Sequence, residues 1–312
     1  MSDAGGVLIR VATRASRLAL WQATHVRELL RAAHPELRIE LAPMTTQGDR
    51  LSGASFTRMG GKGLFIKDLE TAILDGRADV AVHSMKDVPA EMPAAFSIAA
   101  VLARADPRDA FLSNRYASLA ALPAGEPLGS SSLRRQSQLR RLRPDLSVQP
   151  LRGNVDTRVK RLDEGRFAAI VLAAAGLERL GLAGRISERL SPDICLPAIG
   201  QGIIGIECRA GDRKLAGLLA ALEHPPTRAC LTAERIFAAA LGGSCQSPIG
   251  GYAVINGDEL LLRGYIGMPD GSRAVSGERG GAAADCECIG ETLAAELLAA
   301  GGAEILRDCD AL

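Results

Sequence analysis

The sequence predicts an α/β protein with two similar sheet-and-helix parts, followed by a smaller α+β part. Short apolar runs alternate with helical stretches up to about residue 84, and the same alternation restarts near residue 125. Beyond Gly242, apolar runs are instead joined by Asn256-Gly257 and Asp270-Gly271. Strands that alternate with helices favour a parallel sheet, whereas strands joined by such two-residue turns favour antiparallel hairpins.

The first part contains a helix whose two ends are marked in the sequence. Ser16 can cap its start, and Pro35 stops it, because proline lacks the backbone N–H that a helix interior requires. The Gly- and Ser-rich stretch Arg50–Gly63 has no period and is predicted to be a mobile loop. The other predicted elements are the strands Val7–Ala12, Ile39–Met44 and Ala78–His83, and the helix Phe65–Leu74.

The second and third parts are predicted from the same periodicities. The second part has strands at Pro127–Ser130, Ser147–Leu151 and Phe167–Ala173, and helices at Ser132–Leu142 and Val155–Glu164. The late apolar run Ile203–Glu207 can return to the first sheet. The third part has the helix Thr227–Leu241, the strands Ile249–Ile255, Glu259–Ile266 and Arg273–Glu278, and the helix Cys288–Ala300. We therefore predict three domains: residues 1–102 with 203–222, residues 103–202, and residues 223–312.

Arginine dominates the basic residues, since 32 of the 37 are arginine. Acidic residues number 36, so the formal net charge is only +1. The charge is unevenly placed: nine basic and two acidic residues lie between 130 and 161, and two basic and eight acidic residues between 276 and 310. Because arginine binds carboxylates and phosphates through a planar fork, the basic stretch is a candidate binding region for an anion.

The composition argues against several classes of protein. No run of 18 apolar residues exists, so we expect no membrane span, and the polar stretch Met1–Arg10 predicts no signal peptide. Seven cysteines without a CxxC pair, and four scattered histidines, predict reduced thiols in a cytoplasmic protein that has no metal site.

Two stretches have the pattern of anion sites at the starts of helices. Gly129–Gln136 and Arg152–Arg158 each follow a predicted strand and lead into a predicted helix. Free backbone N–H groups at a helix start bind anions, and the arginines add positive charge. The alternative is an ordinary serine cap with solvated arginines. Phosphate, carboxylate and nucleic acid all stay open as ligands.

Two further stretches carry side chains that can do chemistry. His83–Pro89 places Lys86 and Asp87 at the end of a buried strand, where open α/β sheets bind ligands. That carboxylate can hold a cation or move a proton, or it can form an ordinary surface ion pair.

Leu241–Pro248 places Cys245 on a Gly-rich loop, where a thiol is accessible. No nearby histidine is evident as an activating base, and a buried inert thiol is the alternative.

Nine short motifs follow one another along the chain: Ala12–Ser16, Leu20–Gln22, Gly60–Phe65, Ala81–Asp87, Asp106–Phe111, Ser131–Gln136, Leu151–Asn154, Leu196–Gly202 and Gly205–Arg209. With the cysteine loop, they closely resemble the hydroxymethylbilane synthase (porphobilinogen deaminase) family over nearly the whole chain. One departure is local: Ser244 stands between Gly243 and Cys245, where the family usually has Gly-Gly-Cys.

The resemblance implies a transferase of tetrapyrrole and haem biosynthesis, which joins four porphobilinogen molecules head to tail into hydroxymethylbilane and releases four ammonias. The chain would grow on a dipyrromethane cofactor held by a thioether, and Cys245 matches the attachment cysteine. The family fold implies two doubly wound lobes resembling type II periplasmic binding proteins, plus a small domain with a three-stranded antiparallel sheet. A monomer, and transfer of the product to uroporphyrinogen III synthase, are also implied.

The resemblance also implies roles for single residues. Asp87 matches the catalytic carboxylate, which would stabilise the cation left when ammonia departs and would shuttle protons. The loop Arg50–Gly63 would form a lid over the active site, with Lys62 and Phe65 facing the cleft. The cofactor would be held by Lys86, Asp87, Ser132, Arg134 and Arg135 besides Cys245, and the substrate by Arg14, Ser16, Arg152, Arg158, Arg179 and Gln201.

Two other classes of protein share some of these features. A two-lobed binding protein for a small polyanion would have the same sheets and arginines but no covalent group on Cys245. A nucleic-acid binder would use the basic stretch between 130 and 161, but aromatic residues, which stack on bases, make up only 3% of the chain. We therefore expect a small-molecule substrate, and neither a nucleic acid nor a membrane as partner.

Overall fold

A computed structural model describes residues 7–46, 66–242 and 247–311. The helices of these ranges are α1 (Arg17–Ala33), α2 (Lys67–Leu74), α3 (Leu133–Leu142), α4 (Val155–Asp163), α5 (Ala174–Arg179), α6 (Arg213–Leu219), α7 (Pro225–Ala240), α8 (Cys286–Leu297) and α9 (Ala303–Asp310). The strands are β1 (Leu8–Arg14), β2 (Arg38–Met44), β3 (Val80–Ser84), β4 (Phe96–Val101), β5 (Asp109–Leu112), β6 (Pro127–Gly129), β7 (Ser147–Gln149), β8 (Ala169–Ala173), β9 (Glu188–Leu190), β10 (Ile204–Arg209), β11 (Ile249–Asn256), β12 (Glu259–Gly267) and β13 (Ala274–Ala282). The chain divides into two compact units: Met1–Arg104 with Ile203–Arg228, and Ala105–Gly202 with Ala229–Leu312.

The first unit is built on a five-stranded sheet with the order β2-β1-β3-β10-β4. Strand β1 pairs in parallel with β2 and β3, and β10 runs antiparallel to β3 and β4. Consecutive strand residues point to opposite faces, so Val11 lies in one core cluster with Leu30 of α1, whereas Ala12 lies in another with Leu69 of α2. The late run that begins at Ile203 thus returns to the first sheet, as predicted.

The second unit contains a sheet of the same plan, with the order β7-β6-β8-β5-β9. Strand β6 pairs in parallel with β7 and β8, and β5 runs antiparallel to β8 and β9. The matching strand orders confirm the prediction of two similar lobes, but each sheet has one antiparallel strand, which corrects the prediction of a parallel sheet. Strands β5 and β10 are the first strands after the chain passes from one unit to the other, so no helical crossover fixes their direction.

A three-stranded antiparallel sheet, β11-β12-β13, completes the second unit, as predicted. The residues Gly257 (φ 62°) and Gly271 (φ 80°) adopt the left-handed conformation at its two turns, which glycine reaches without steric cost. Phe237 of α7 is fully buried in the core of this sheet. The hydroxyl oxygens of Ser137 and Tyr265 lie 2.8 Å apart, joining α3 to β12. Because the second unit holds both the second lobe and this sheet, the three-domain division stays a prediction.

Some elements differ from those expected from the sequence. The strands β4, β5 and β9 were not predicted; β5 and β9 have only four and three residues. The last helix was predicted as Cys288–Ala300; α8 instead spans Cys286–Leu297, and the further helix α9, Ala303–Asp310, was not predicted. Gly301 lies between them with φ 106°, a left-handed conformation that is incompatible with a continuing helix.

Candidate active site

The turn after β3 presents the predicted catalytic carboxylate. Met85–Asp87 forms a single 3-10 turn, in which Asp87 is exposed and Lys86 is half-buried. The turn is fixed to β10, because Met85 N donates to the carbonyl oxygen of Ile203 at 3.0 Å. The buried Met85 side chain also lies directly over Gly205, where any Cβ would collide with its Sδ atom. The interior contacts of Met85 therefore hold the Asp87 carboxylate at the surface.

A buried polar pair lies behind this turn. His83 Nε2 is 2.8 Å from Glu207 Oε2, and both side chains are buried. The other oxygen, Glu207 Oε1, has no hydrogen-bond partner among the described residues. Burial and the Glu207 charge raise the pKa of Glu70 on α2. Sequence analysis missed this pair, although a glutamate inside the apolar run of β10 was an available signal, because a buried carboxylate requires a partner.

The end of β1 contributes two more predicted residues. Arg14 is the last residue of β1, and Ser16 caps α1 by accepting a hydrogen bond from Ala19 N at 3.4 Å. Because β1 and β3 are neighbouring parallel strands, their carboxyl ends lie at the same edge of the sheet. The first unit thus brings Arg14, Ser16, Lys86 and Asp87 to one edge.

The helix start at α3 carries the two adjacent arginines. Ser132 caps the helix by accepting from Arg135 N at 3.4 Å. Arg134 and Arg135 are only 4% and 6% exposed, so the alternative of two solvated arginines is wrong. Both reach the buried Asp109 of β5: Arg134 Nη1 donates to Oδ2 at 2.8 Å, and Arg135 Nη2 donates to Oδ1 at 2.7 Å. Sequence analysis missed this use of Asp109, although it lies in the motif Asp106–Phe111.

The surroundings of Asp109 keep it ionised. Burial opposes its charge, but the two guanidinium groups outweigh burial and hold the pKa of Asp109 far below its usual range. Gln201 Nε2 donates to Oδ1 at 2.9 Å, and the Cys195 thiol donates to Oδ2 at 3.2 Å. Burial, with the Asp109 charge, raises the pKa of Cys195 to about 12. Gln201 also donates to the carbonyl oxygen of Pro107 at 2.6 Å, so it is an interior residue; its contact with substrate stays a prediction.

Three further predicted arginines follow the strands beside α3. Arg152 comes after β7 and is exposed, and Arg158 Nε donates to the carbonyl oxygen of Gly153 at 2.6 Å. Arg179 ends α5, directly after β8, where its Nη2 donates to the carbonyl oxygen of Gly202 at 2.7 Å. Burial lowers the pKa of Arg179 to about 10. Since β7, β6 and β8 are parallel neighbours, the second unit brings its predicted arginines to one sheet edge.

Three predicted site residues lie outside the described ranges: Cys245, Lys62 and Phe65. Within those ranges, no group of three or more histidine, cysteine or acidic side chains is arranged to hold a metal ion. No helix there is long and apolar enough to cross a bilayer.

Each unit is an α/β sheet that presents cationic side chains at its strand ends, and the first unit also presents the exposed carboxylate of Asp87 there; such strand ends suit small anionic molecules. The comparison with family models is specific. Residues 9–217 match "Porphobilinogen deaminase, dipyromethane cofactor binding domain", and residues 228–299 match "Porphobilinogen deaminase, C-terminal domain". The chain belongs to the porphobilinogen deaminase family and is a transferase of tetrapyrrole synthesis.

Curated relatives extend this match along the chain. The proteins named porphobilinogen deaminase from Bordetella parapertussis and Bordetella bronchiseptica are each 56% identical over 300 residues, which is 96% of this chain and 96% of theirs. Two solved structures that match are far less identical in sequence. A putative methionine-binding lipoprotein from Bacillus subtilis is 14% identical, with a TM-score of 0.43 over 70% of this chain and 90% of that one. The VFT2 domain of BvgS from Bordetella pertussis is 16% identical, with a TM-score of 0.42 over 69% and 86%.

Proposed function

We propose that this chain is a hydroxymethylbilane synthase, which joins four porphobilinogen molecules head to tail with loss of four ammonias. The observation that carries the proposal is the exposed carboxylate of Asp87, at the end of β3 and on the same sheet edge as Arg14 and Lys86. Loss of ammonia leaves a cation on the substrate. A carboxylate held in place by the contacts of Met85 stabilises that cation and accepts or returns the protons that the condensation moves.

The cationic side chains bind the carboxylates of the pyrroles. Each pyrrole carries an acetate and a propionate, so a growing chain presents many carboxylates. We assign Arg14 and Ser16 to these groups in the first unit, and Arg152, Arg158 and Arg179 in the second. Arginine suits this task because its fork donates two parallel hydrogen bonds to one carboxylate.

The residues around α3 also suit a carboxylate-bearing cofactor. Two guanidinium groups share the single carboxylate of Asp109, which leaves positive charge in the interior. The Nε atoms of Arg134 and Arg135 have no hydrogen-bond partner among the described residues. We assign the cofactor carboxylates to Ser132, Arg134, Arg135 and Lys86, and the thioether to Cys245. When bound, the dipyrromethane supplies the pyrrole end to which substrate is joined.

The remaining assignments complete the proposal. We also assign Arg50–Gly63 as a lid that excludes water during condensation, with Lys62 and Phe65 facing the cleft. The enzyme acts as a monomer in the cytoplasm and passes its product to uroporphyrinogen III synthase.

The proposal is tested by the intact mass of the purified protein before and after incubation with porphobilinogen. We expect a stable mass increment of two pyrrole units, a positive aldehyde colour test for pyrroles, and further increments on incubation. The Cys245→Ser variant is the control and should gain no stable mass. An unmodified mass that stays unmodified with porphobilinogen would reject the synthase in favour of a two-lobed binding protein for a small polyanion.

A further inference from the structure

Asp109 joins two side chains that a helix by itself would separate. Arg134 and Arg135 are consecutive on α3, and consecutive helical residues point about 100° apart. Both guanidinium groups nevertheless meet at Asp109, one on each carboxylate oxygen, at 2.8 and 2.7 Å. One carboxylate thus fixes the direction of two adjacent arginines.

The shell around these three side chains leaves little freedom to move. Beyond Asp109, Arg134 Nη1 donates to Leu196 O at 2.6 Å and to Cys195 Sγ at 3.4 Å, and Arg135 Nη1 donates to Val171 O at 2.9 Å. Asp109 itself is completely buried and also accepts from Gln201 Nε2 at 2.9 Å and from the Cys195 thiol at 3.2 Å. The side chains that donate hydrogen bonds to the Asp109 carboxylate are themselves all buried.

The charges of Arg134, Arg135 and Asp109 do not cancel. Two buried guanidinium groups face one buried carboxylate, and burial of an unbalanced charge is costly unless an opposite charge binds. The Nε atoms of both arginines lack a hydrogen-bond partner among the described residues. The shell therefore holds the arginines rigidly while retaining one positive charge for an incoming anion.

We propose that Asp109 is the positioning residue for cofactor loading: it orients Arg134 and Arg135 toward the cofactor carboxylates and contacts neither cofactor nor substrate itself. This inference rests on the proposed function, because it assumes that the two arginines receive a pyrrole carboxylate. Gln201 and Cys195 assist by saturating Asp109, which keeps both of its oxygens directed at the guanidinium groups.

The test compares Asp109→Asn and Asp109→Glu with the wild-type protein and with Asp145→Asn. Asp145 forms an ion pair with Arg143 after α3, and the Asp145 side chain is 37% exposed. Its substitution therefore controls for the loss of an arginine–aspartate pair outside the interior. Each protein is prepared without cofactor and incubated with increasing porphobilinogen, well below its melting temperature. Intact mass gives the concentration for half-maximal loading, and circular dichroism reports folding.

We expect Asp109→Asn to raise the half-loading concentration at least tenfold, while Asp145→Asn matches wild type. Asp109→Glu keeps the charge balance but moves the carboxylate by one methylene, so it folds even where Asp109→Asn does not, and it too should raise that concentration. A folded Asp109 variant with wild-type loading overturns the inference and leaves Asp109 a purely stabilising residue. Wild-type protein that gains no pyrrole mass refutes instead the proposed function.

Discussion

Replacing Gly205 with alanine tests how the catalytic turn is held. Gly205 lies on β10 opposite His83, and a Cβ there would overlap Met85 Sδ and lie 3.1 Å from Met85 Cγ. The added Cβ could not move away from Met85 either, since Ile98 Cγ2 already lies 3.5 Å from the same Cβ position. Met85 is 1% exposed and begins the turn that carries Asp87. The added methyl group must therefore displace the buried Met85 side chain, and we expect the turn that Met85 begins to shift with it.

We expect Gly205→Ala to lower both the free energy of unfolding and turnover. Forcing one extra methyl group into a filled core costs about 1–3 kcal/mol of unfolding free energy. A displacement of about 1 Å in a catalytic group reduces turnover on the order of 100-fold. Because the carboxylate of Asp87 is intact, the loss should appear in kcat, with a smaller change in KM.

The measurements are urea unfolding and steady-state formation of hydroxymethylbilane. Gly217→Ala is the matched control, since Gly217 lies in α6 with open space around its Cβ position; alanine there should stabilise by up to about 1 kcal/mol. The double variant Gly205→Ala/Met85→Ala should unfold with less loss than the sum of the single variants, by about 1 kcal/mol or more. Wild-type kcat in Gly205→Ala, or strict additivity in the double variant, would refute the role of this contact.

Three other predictions concern titratable groups. Asp87→Asn should change the unfolding free energy by less than about 0.5 kcal/mol, because the residue is exposed, while lowering turnover by about 10²–10⁴-fold; near-normal turnover would contradict its assignment. The folded-state pKa of Glu70 is raised from 4.5 by burial and by Glu207, so its contribution to stability is present at low pH and is lost as the pH rises through that raised pKa. The stability of Glu70→Gln relative to wild type should therefore increase as the pH rises above 4.5, and parallel stability curves from thermal unfolding would count against this. Cys195, with its pKa raised to about 12 by burial, should resist iodoacetamide in the native state at a pH where the exposed Cys288 reacts, as peptide mass mapping can show.

The predicted fold was most accurate where local signals were strong. The cap at Ser16, the proline stop after α1 and the Asn-Gly and Asp-Gly turns all depend on neighbouring residues, and the structure has each of them. The strands β5 and β9 were missed, because their few residues give no periodic signal and their pairing is supplied by distant parts of the chain. The predicted end of the last helix at Ala300 lies directly before the break at Gly301, but the short helix α9 that follows this break was missed.

The candidate site shows the same limit at the level of single residues. Motifs at strand ends located the arginines and Asp87, because topology alone brings the carboxyl ends of parallel strands together. Sequence patterns could not reveal which side chains bind these residues from inside. His83 and Glu207 are separated by 124 residues, and Arg135 and Asp109 by 26. Gln201 was assigned to the substrate from its motif, whereas its amide nitrogen bonds to Asp109 and to a backbone carbonyl.

The position of β10 has a consequence for the way the protein is made. This strand lies between β3 and β4, although the ribosome synthesises it only after the entire second sheet. Until then, β3 and β4 have no shared neighbour, and their unpaired backbone groups are open to incorrect pairing with other chains. The turn that carries Asp87 gains its anchors, Ile203 and Gly205, at the same late moment. Anchoring of the Asp87 turn and completion of the first sheet are thus a single event in biosynthesis.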